Sequence, residues 1–279
     1  MAPFDPPRPV VCRVVEDALA EDLGILGDIT SIACVDDDLV AAAAFVARAD
    51  GVLAGTALAT ETYRQLDESV TVQWSLHDGD HVVAGAVLGR VSGALRTILT
   101  GERVALNFLC HCSGIATMTH RYVVAVHADM RVLDTRKTIP GLRAVQRAAV
   151  RAGGGYNHRD SLSDAVLIKD NHVAASGITK SIERARRMWP GRMIEVECDT
   201  LDQVDEARTA GATRILLDNM TPEQVREAAS IVEGVAEVEI SGGVTLETIA
   251  AYADTGADFV SVGALTHSVP VFDIGLDMK

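Results

Sequence analysis

The 279-residue sequence has few cysteines, no long apolar run and a shortage of positive charge. Each absence narrows what the chain can be. Its five cysteines (Cys12, Cys34, Cys110, Cys112, Cys198) are odd in number and scattered, the usage of a reducing compartment rather than of a disulfide framework. No stretch reaches the ~18 consecutive apolar residues of a membrane-spanning helix. Met1 to Pro9 carries four prolines and lacks the apolar segment of a secretory signal, so a disordered lead and a cytoplasmic location are expected. With 25 Lys and Arg against 39 Asp and Glu, the formal net charge is −14, which argues against a binder of nucleic-acid backbones.

The positive charge that exists is concentrated. Between Arg131 and His172 there are eight Lys or Arg residues against four Asp, within a chain otherwise dominated by acid. A cationic island of this kind suits a small anionic ligand. Cys110-His111-Cys112 invites a metal reading, but it falls in an expected helix, where residues two apart point to different sides. Core packing is the reading adopted.

The two halves of the chain differ in pattern. Residues 10 to 110 mix helix and strand: a helix over Val11–Leu23 stopped by Gly24, a strand over Ala42–Ala49, a helix over Ala57–Leu66, and strands over Val70–Leu76 and Val82–Val91. Asp78 to Gly89 has the turn-rich pattern of a biotinyl or lipoyl carrier without the lysine such carriers modify, so it is read as β scaffold. A long helix is expected from Gly101 to Ala128. Strands then alternate with helices. The strands are Arg131–Asp134, Ala165–Lys169, Met193–Cys198, Thr213–Asp218, Ala236–Ser241 and Asp258–Val262. The helices are Pro140–Ala152, Ile178–Trp189, Leu201–Ala210, Pro222–Val232 and Leu246–Thr255. Thr221-Pro222 and Thr245 mark helix starts, and Gly211 and Gly256 mark ends. Repeated βα units imply a parallel sheet covered by helices.

An open doubly wound sheet has strands that are apolar on both faces. Here Glu195 and Glu197 alternate with Ile194, Val196 and Cys198, and Glu237 and Glu239 alternate with Val238 and Ile240. Carboxylates unpaired beneath helices would cost several kcal/mol each. They are therefore expected to line a polar, partly wet lumen, which favours a barrel.

In such barrels the chemistry sits at the C-terminal ends of the strands. Those ends supply Arg136, Lys137 and Lys169, joined by His158 and Arg159 from the preceding Gly153-Gly154-Gly155 loop: a set suited to carboxylates and phosphates. Glu197 and Asp218 are acceptors for sugar hydroxyls or a metal. The small-residue turns Ser241-Gly242-Gly243 and Val262-Gly263-Ala264 can present backbone N–H groups to a phosphate. Each feature alone has an ordinary structural reading, such as a surface lysine, a turn or a helix cap. Their convergence on one barrel mouth carries the functional one.

Asp134-Thr135-Arg136-Lys137-Thr138, Pro140-Gly141-Leu142-Arg143, Asn157-His158-Arg159 and Leu167-Ile168-Lys169-Asp170-Asn171-His172 together closely resemble the signature of the quinolinate phosphoribosyltransferase family. Glu102-Arg103, Ser113-Gly114-Ile115-Ala116-Thr117, Leu217-Asp218-Asn219 and Ser241-Gly242-Gly243 match its remaining segments, so the resemblance spans nearly the whole chain. Ile139 stands where Thr is more usual. The resemblance implies an α/β fold with an N-terminal α/β sandwich (1–112, joined by 267–279) and an incomplete β/α barrel (113–266) of roughly six or seven strands. It implies a homodimer in which one subunit's sandwich closes the other's barrel mouth and lends it Arg103. The implied reaction transfers ribose 5-phosphate from phosphoribosyl pyrophosphate to quinolinate with loss of CO2, giving nicotinate mononucleotide in NAD biosynthesis. Arg103, Arg136, His158, Arg159 and Lys169 would take quinolinate, with Lys137 shared with the phosphate side and Thr135 contributing to binding. Lys137, Lys169, Glu197 and Asp218 would act in catalysis, the two carboxylates on the ribose hydroxyls or on substrate-bound Mg2+. Ser241–Gly243 and Val262–Ala264 would take the 5-phosphate. Three other readings stay open: a same-fold relative acting on another acid, such as the molybdenum-associated members; a phosphosugar isomerase or aldolase; and a non-catalytic metabolite sensor.

Overall fold

In the computed structural model, which describes residues 4–126 and 129–278, helix α1 (Arg8–Leu23) begins within the proline-rich lead. Pro9 lies in its first turn, where a missing N–H removes no helical bond. The expected disorder is thus corrected at Arg8 and Pro9, while Met1–Pro3 lie outside the described residues. Gly24 ends the helix with φ 55°, a conformation that favours glycine.

The chain divides into two compact units: residues 1–120, 138–154 and 265–279, and residues 121–137 and 155–264. The chain leaves the first unit within a helix and returns to it twice, at 138–154 and at 265–279.

In the N-terminal unit, α1 is followed by α2 (Ile29–Cys34), β1 (Val40–Ala47), β2 (Gly51–Val52), α3 (Thr56–Leu66), β3 (Thr71–Trp74), β4 (His81–Val82), β5 (Val87–Ala94) and α4 (Leu95–Val126). The expected end of α4, at Ala128, lies outside the described residues. A four-stranded antiparallel sheet forms, with β1 central and its outer neighbour supplied by the C-terminal segment: Ala47 pairs with Ile274 and Ala43 with Met278. Its core holds Phe45, Tyr63, Leu88, Ile98 and Leu109, all fully buried, with Phe45 stacked on Trp74 at 5.0 Å. The carrier-like segment is indeed scaffold here. Asp78 accepts the Gly55 and Thr56 backbone N–H groups at 2.8 and 3.1 Å, holding the start of α3. Cys112 is buried in α4, as packing requires.

The remaining elements are β6 (Arg131–Leu133), α5 (Arg143–Ala152), β7 (Val166–Ile168), α6 (Asp170–Ser176), α7 (Ile178–Met188), β8 (Ile194–Cys198), α8 (Leu201–Ala210), β9 (Arg214–Asp218), α9 (Pro222–Val232), β10 (Glu237–Ser241), β11 (Phe259–Ser261), α10 (Ala264–His267) and β12 (Ile274–Met278). Of these, α5, β12 and all of α10 but Ala264 belong to the N-terminal unit. The second unit is built on a six-stranded parallel sheet in the order β6-β11-β10-β9-β8-β7, the incomplete barrel. Between β6 and β7, Tyr156 makes a single bridge to Leu133, and the Arg159 guanidinium donates to the Ala165 carbonyl at 3.0 Å. At the opposite end from the mouth, the Arg214 guanidinium lies 4.0 Å from the centre of the Phe259 ring. The expected helix over Leu246–Thr255 is only a 3-10 turn, Ile249–Tyr252. Among the described residues no helix is long and apolar enough to cross a membrane.

Candidate active site

The C-terminal strand ends open into a cavity of about 460 Å³, lined by Thr135, Arg136, Lys137, His158, Arg159, Leu167, Lys169, Glu197, Leu216, Asp218, Glu239, Ser241 and Ser261. Its volume is that of a small-metabolite pocket, and every lining residue belongs to the barrel unit. The charges are sorted around the rim. Cations come from the loops after β6, before β7 and after β7. Carboxylates come from the ends of β8 and β9, and hydroxyls from β10 and β11.

Asp134 at the end of β6 is wholly buried and organises the cationic side. It accepts from the Asn157 side chain at 2.6 Å and from the His158 backbone at 2.8 Å, so the segment that follows the glycine loop is held in place. That segment brings Arg159 beside Arg136. Burial, followed by the Arg136 charge, lowers the Arg159 pKa, and the buried Nε of Arg136 has no hydrogen-bond partner. Two guanidinium groups that repel each other in a part-buried wall favour an anion between them. Lys169 forms an ion pair with Glu197 across the neighbouring strand ends. Asp218 is held above its usual pKa by burial and by Glu197 and Asp199.

The turn after β9 has its own constraint. Asn219 has φ 57°, and its side-chain amide donates to Asp218 at 2.7 Å. Its other amide atom, Oδ1, abuts Gly242, where an added Cβ would fall 2.2 Å away. The Gly-Gly turn and the Asp218 carboxylate are therefore packed as one piece.

The expectation that Glu195 and Glu239 line a wet lumen is corrected: neither is open to solvent, although Glu239 borders the pocket. Both are 0% exposed; Glu239 has an arginine partner, whereas burial raises the pKa of Glu195 and its Oε2 lacks a hydrogen bond. His158 Nε2 lies 3.2 Å from Glu195 and 3.3 Å from Glu239, and Arg214 reaches Glu239 at 3.1 Å. Glu197, two residues further along β8, reaches the pocket, where it pairs with Lys169. Among the described residues, His158, Glu195 and Glu239 are the one group of potential metal-ligating atoms close enough together. The imidazole argues against a metal there. The Arg159 backbone N–H donates to Nδ1 at 2.8 Å, so Nε2 carries the proton and has no lone pair to offer. Burial acts to lower the His158 pKa, but its bonds to Glu195 and Glu239 outweigh this and lift it to about 10. The two carboxylates thus hold the Nε2 proton firmly, while the Arg159 N–H opposes a second proton on Nδ1.

The other expected residues are distributed as follows. Gly242 and Gly243, with φ 90° and 62°, directly follow the lining residue Ser241. Val262 is buried and its N–H donates to the Leu133 carbonyl at 3.0 Å, so that amide cannot serve a phosphate. Gly263 and Ala264 follow it. Arg103 is an exposed residue of α4 in the N-terminal unit. Residue reading had not singled out Asp134, Asn219, Arg214 or Ser261, although Asp134 and Asn219 lie inside the motifs themselves.

Comparisons with known proteins agree with this geometry. A family model described as quinolinate phosphoribosyl transferase, N-terminal domain, matches residues 28–113, and one for the C-terminal domain matches residues 115–277. The chain is 43% identical over 269 residues to the probable nicotinate-nucleotide pyrophosphorylase [carboxylating] of Bacillus subtilis, covering 95% of this chain and 92% of that protein. It is 42% identical over 283 residues to the chloroplastic nicotinate-nucleotide pyrophosphorylase [carboxylating] of rice, Oryza sativa subsp. japonica, covering 94% and 76%. The nicotinate-nucleotide pyrophosphorylase structure from Francisella tularensis superposes with a TM-score of 0.94 at 39% identity, over 99% of this chain and 98% of that one.

Proposed function

The chain belongs to the quinolinate phosphoribosyltransferase family, and from that premise we propose that its pocket joins quinolinate to the ribose 5-phosphate of phosphoribosyl pyrophosphate. The pyridine nitrogen attacks the anomeric carbon as pyrophosphate departs. The 2-carboxylate then leaves as CO2, its bonding electrons remaining on C2 as a carbanion stabilised by the adjacent positive nitrogen until a proton adds there. The product is nicotinate mononucleotide.

The observation that carries this reading is the paired guanidinium wall of Arg136 and Arg159 beside Lys169. Both substrates are multiply anionic, and each charge-assisted hydrogen bond is worth roughly 1.5–3 kcal/mol. Arginine forks match carboxylates bidentately, so these residues can hold the dicarboxylate while Lys137 faces the phosphates. Glu197 and Asp218 sit where they can accept from the ribose hydroxyls and favour the positive charge that develops as pyrophosphate leaves. Two neighbouring carboxylates also suit a divalent cation. Mg2+ arriving with the pyrophosphate would meet them and neutralise the leaving group. Ser241, Gly242, Gly243, Gly263 and Ala264 take the 5-phosphate.

The same reading includes a homodimer whose partner supplies Arg103. Two features support it: the exposed position of Arg103, and an apolar patch on the N-terminal unit where Ile25, Leu26 and Ile29 are exposed to 101%, 75% and 62%.

Replacing Arg136 or Lys169 by Ala is expected to abolish turnover while leaving circular dichroism and thermal unfolding near those of the wild type. Near-normal turnover in either variant would contradict the assignment.

A further inference from the structure

The mechanism above gives no part to Glu195 and Glu239, two fully buried carboxylates on β8 and β10. Arg214 already meets the charge of Glu239 and, at 2.7 Å, of Glu237. Both Glu195 and Glu239 face the Nε2 atom of His158, at 3.2 and 3.3 Å. Ser261 donates a further hydrogen bond to Glu239.

A backbone N–H can only donate, so the Arg159 amide fixes Nδ1 of His158 as an acceptor and Nε2 as the proton-bearing atom. The Nε2–H then points between two carboxylate oxygens. Both ring nitrogens are thereby committed to the protein, and the ring cannot turn without losing both ends of the arrangement. The side chain lines the pocket, yet neither nitrogen is directed to a ligand. What it transmits is position. The ring held by Glu195 and Glu239 in turn holds the Arg159 amide, and Arg159 belongs to the guanidinium wall.

We propose that Glu195 and Glu239 are positioning residues, which clamp the His158 ring and through its Nδ1 set the placement of Arg159 against the pyridine dicarboxylate. His158 then serves as a fixed wall of the pocket and a link to Arg159, not as a direct carboxylate donor. This inference rests on the proposed function, since it takes quinolinate as the ligand whose binding reports the clamp. A purely structural role for Glu195 would show the same loss whether or not the imidazole is present. A role through His158 predicts dependence on the imidazole.

The test is a double-mutant cycle read by calorimetric binding of quinolinate without phosphoribosyl pyrophosphate, so that no turnover occurs. Glu195→Gln keeps the volume but removes the charge and turns one acceptor atom into a donor. It is expected to weaken quinolinate binding about tenfold while changing affinity for phosphoribosyl pyrophosphate less than about twofold. In a His158→Ala background the same substitution should cost less than about twofold. Glu239→Gln repeats the cycle independently, and thermal unfolding checks that each variant is folded. An equal loss in both backgrounds would overturn the proposal, as would failure of both Gln variants to fold, which would assign the carboxylates to stability alone. If the wild-type protein bound no quinolinate, the functional reading itself would fall, an outcome distinct from an additive cycle in a protein that does bind.

Discussion

At Asn219 and Gly242 two residues share one small space. Asn219 takes a left-handed φ of 57°, which asparagine tolerates better than most, and spends one amide atom on Asp218 and the other against Gly242. An alanine at 242 would need a left-handed φ of 90° and would place its methyl 2.2 Å from Asn219 Oδ1. Gly242→Ala is therefore expected to push Asn219 off Asp218 and raise the KM for phosphoribosyl pyrophosphate by about ten- to hundredfold, with quinolinate affinity little changed. Titrating each substrate separately checks this; parallel loss of both affinities would contradict it. The residue scale is also where reading the sequence stops short. Strand periodicity told which face Glu195, Glu197 and Glu239 occupy, because side chains alternate across a strand. It could not tell depth: Glu197 is at the mouth, while Glu195, one repeat below, is sealed and needs a protein partner. Nor could it show that both nitrogens of His158 are taken, which depends on a backbone amide one residue on.

The elements themselves were largely legible. α8 and α9 run over the ranges read from periodicity and capping, and each of the six parallel strands falls within its expected segment. Where the helix over Leu246–Thr255 failed, local bonds compete with it. The Thr248 hydroxyl accepts from the Thr245 N–H at 2.9 Å, which favours a turn over a helix start. Short elements such as α2, α6 and β12 left no clear period to read. Within α3 the stabilising charges can be tested by pH. Glu61 is held down to about 2 by its hydrogen bonds with Arg64, against a usual value of 4.5. A depressed folded-state pKa contributes stability that is complete above about pH 4.5 and is lost as pH falls through about 2. Thermal unfolding between pH 6 and pH 2.5 should therefore fall less steeply for Glu61→Gln than for the wild type. Parallel curves would show that the pair does not couple to folding. Gly153, at the end of α5, has a different constraint: a Cβ there would meet the Ala116 carbonyl at 2.3 Å. Gly153→Ala should destabilise by about 1–3 kcal/mol through overpacking, read by denaturant unfolding.

For the molecule as a whole, the net charge of −14 conceals a pocket whose wall is cationic, and that contrast first pointed to a small anionic substrate. Composition and motif spacing reached the barrel and its mouth. Nothing local in the sequence assigns α5 to the N-terminal unit, which it joins through contacts distant in sequence. The shared-site reading makes a prediction at this scale. Arg103→Ala and Lys169→Ala homodimers should each be inactive, but after subunit exchange a mixture should recover up to about a quarter of normal activity, since each mixed dimer has one site free of both changes. No recovery, with exchange confirmed, would contradict a site shared between subunits. The central claim is tested most directly by supplying the purified protein with Mg2+, phosphoribosyl pyrophosphate and quinolinate labelled at its 2-carboxylate. The account predicts labelled CO2 and nicotinate mononucleotide in equal amounts, and essentially no nucleotide when nicotinate replaces quinolinate. Nucleotide formation without CO2 release, or equal use of nicotinate, would contradict it.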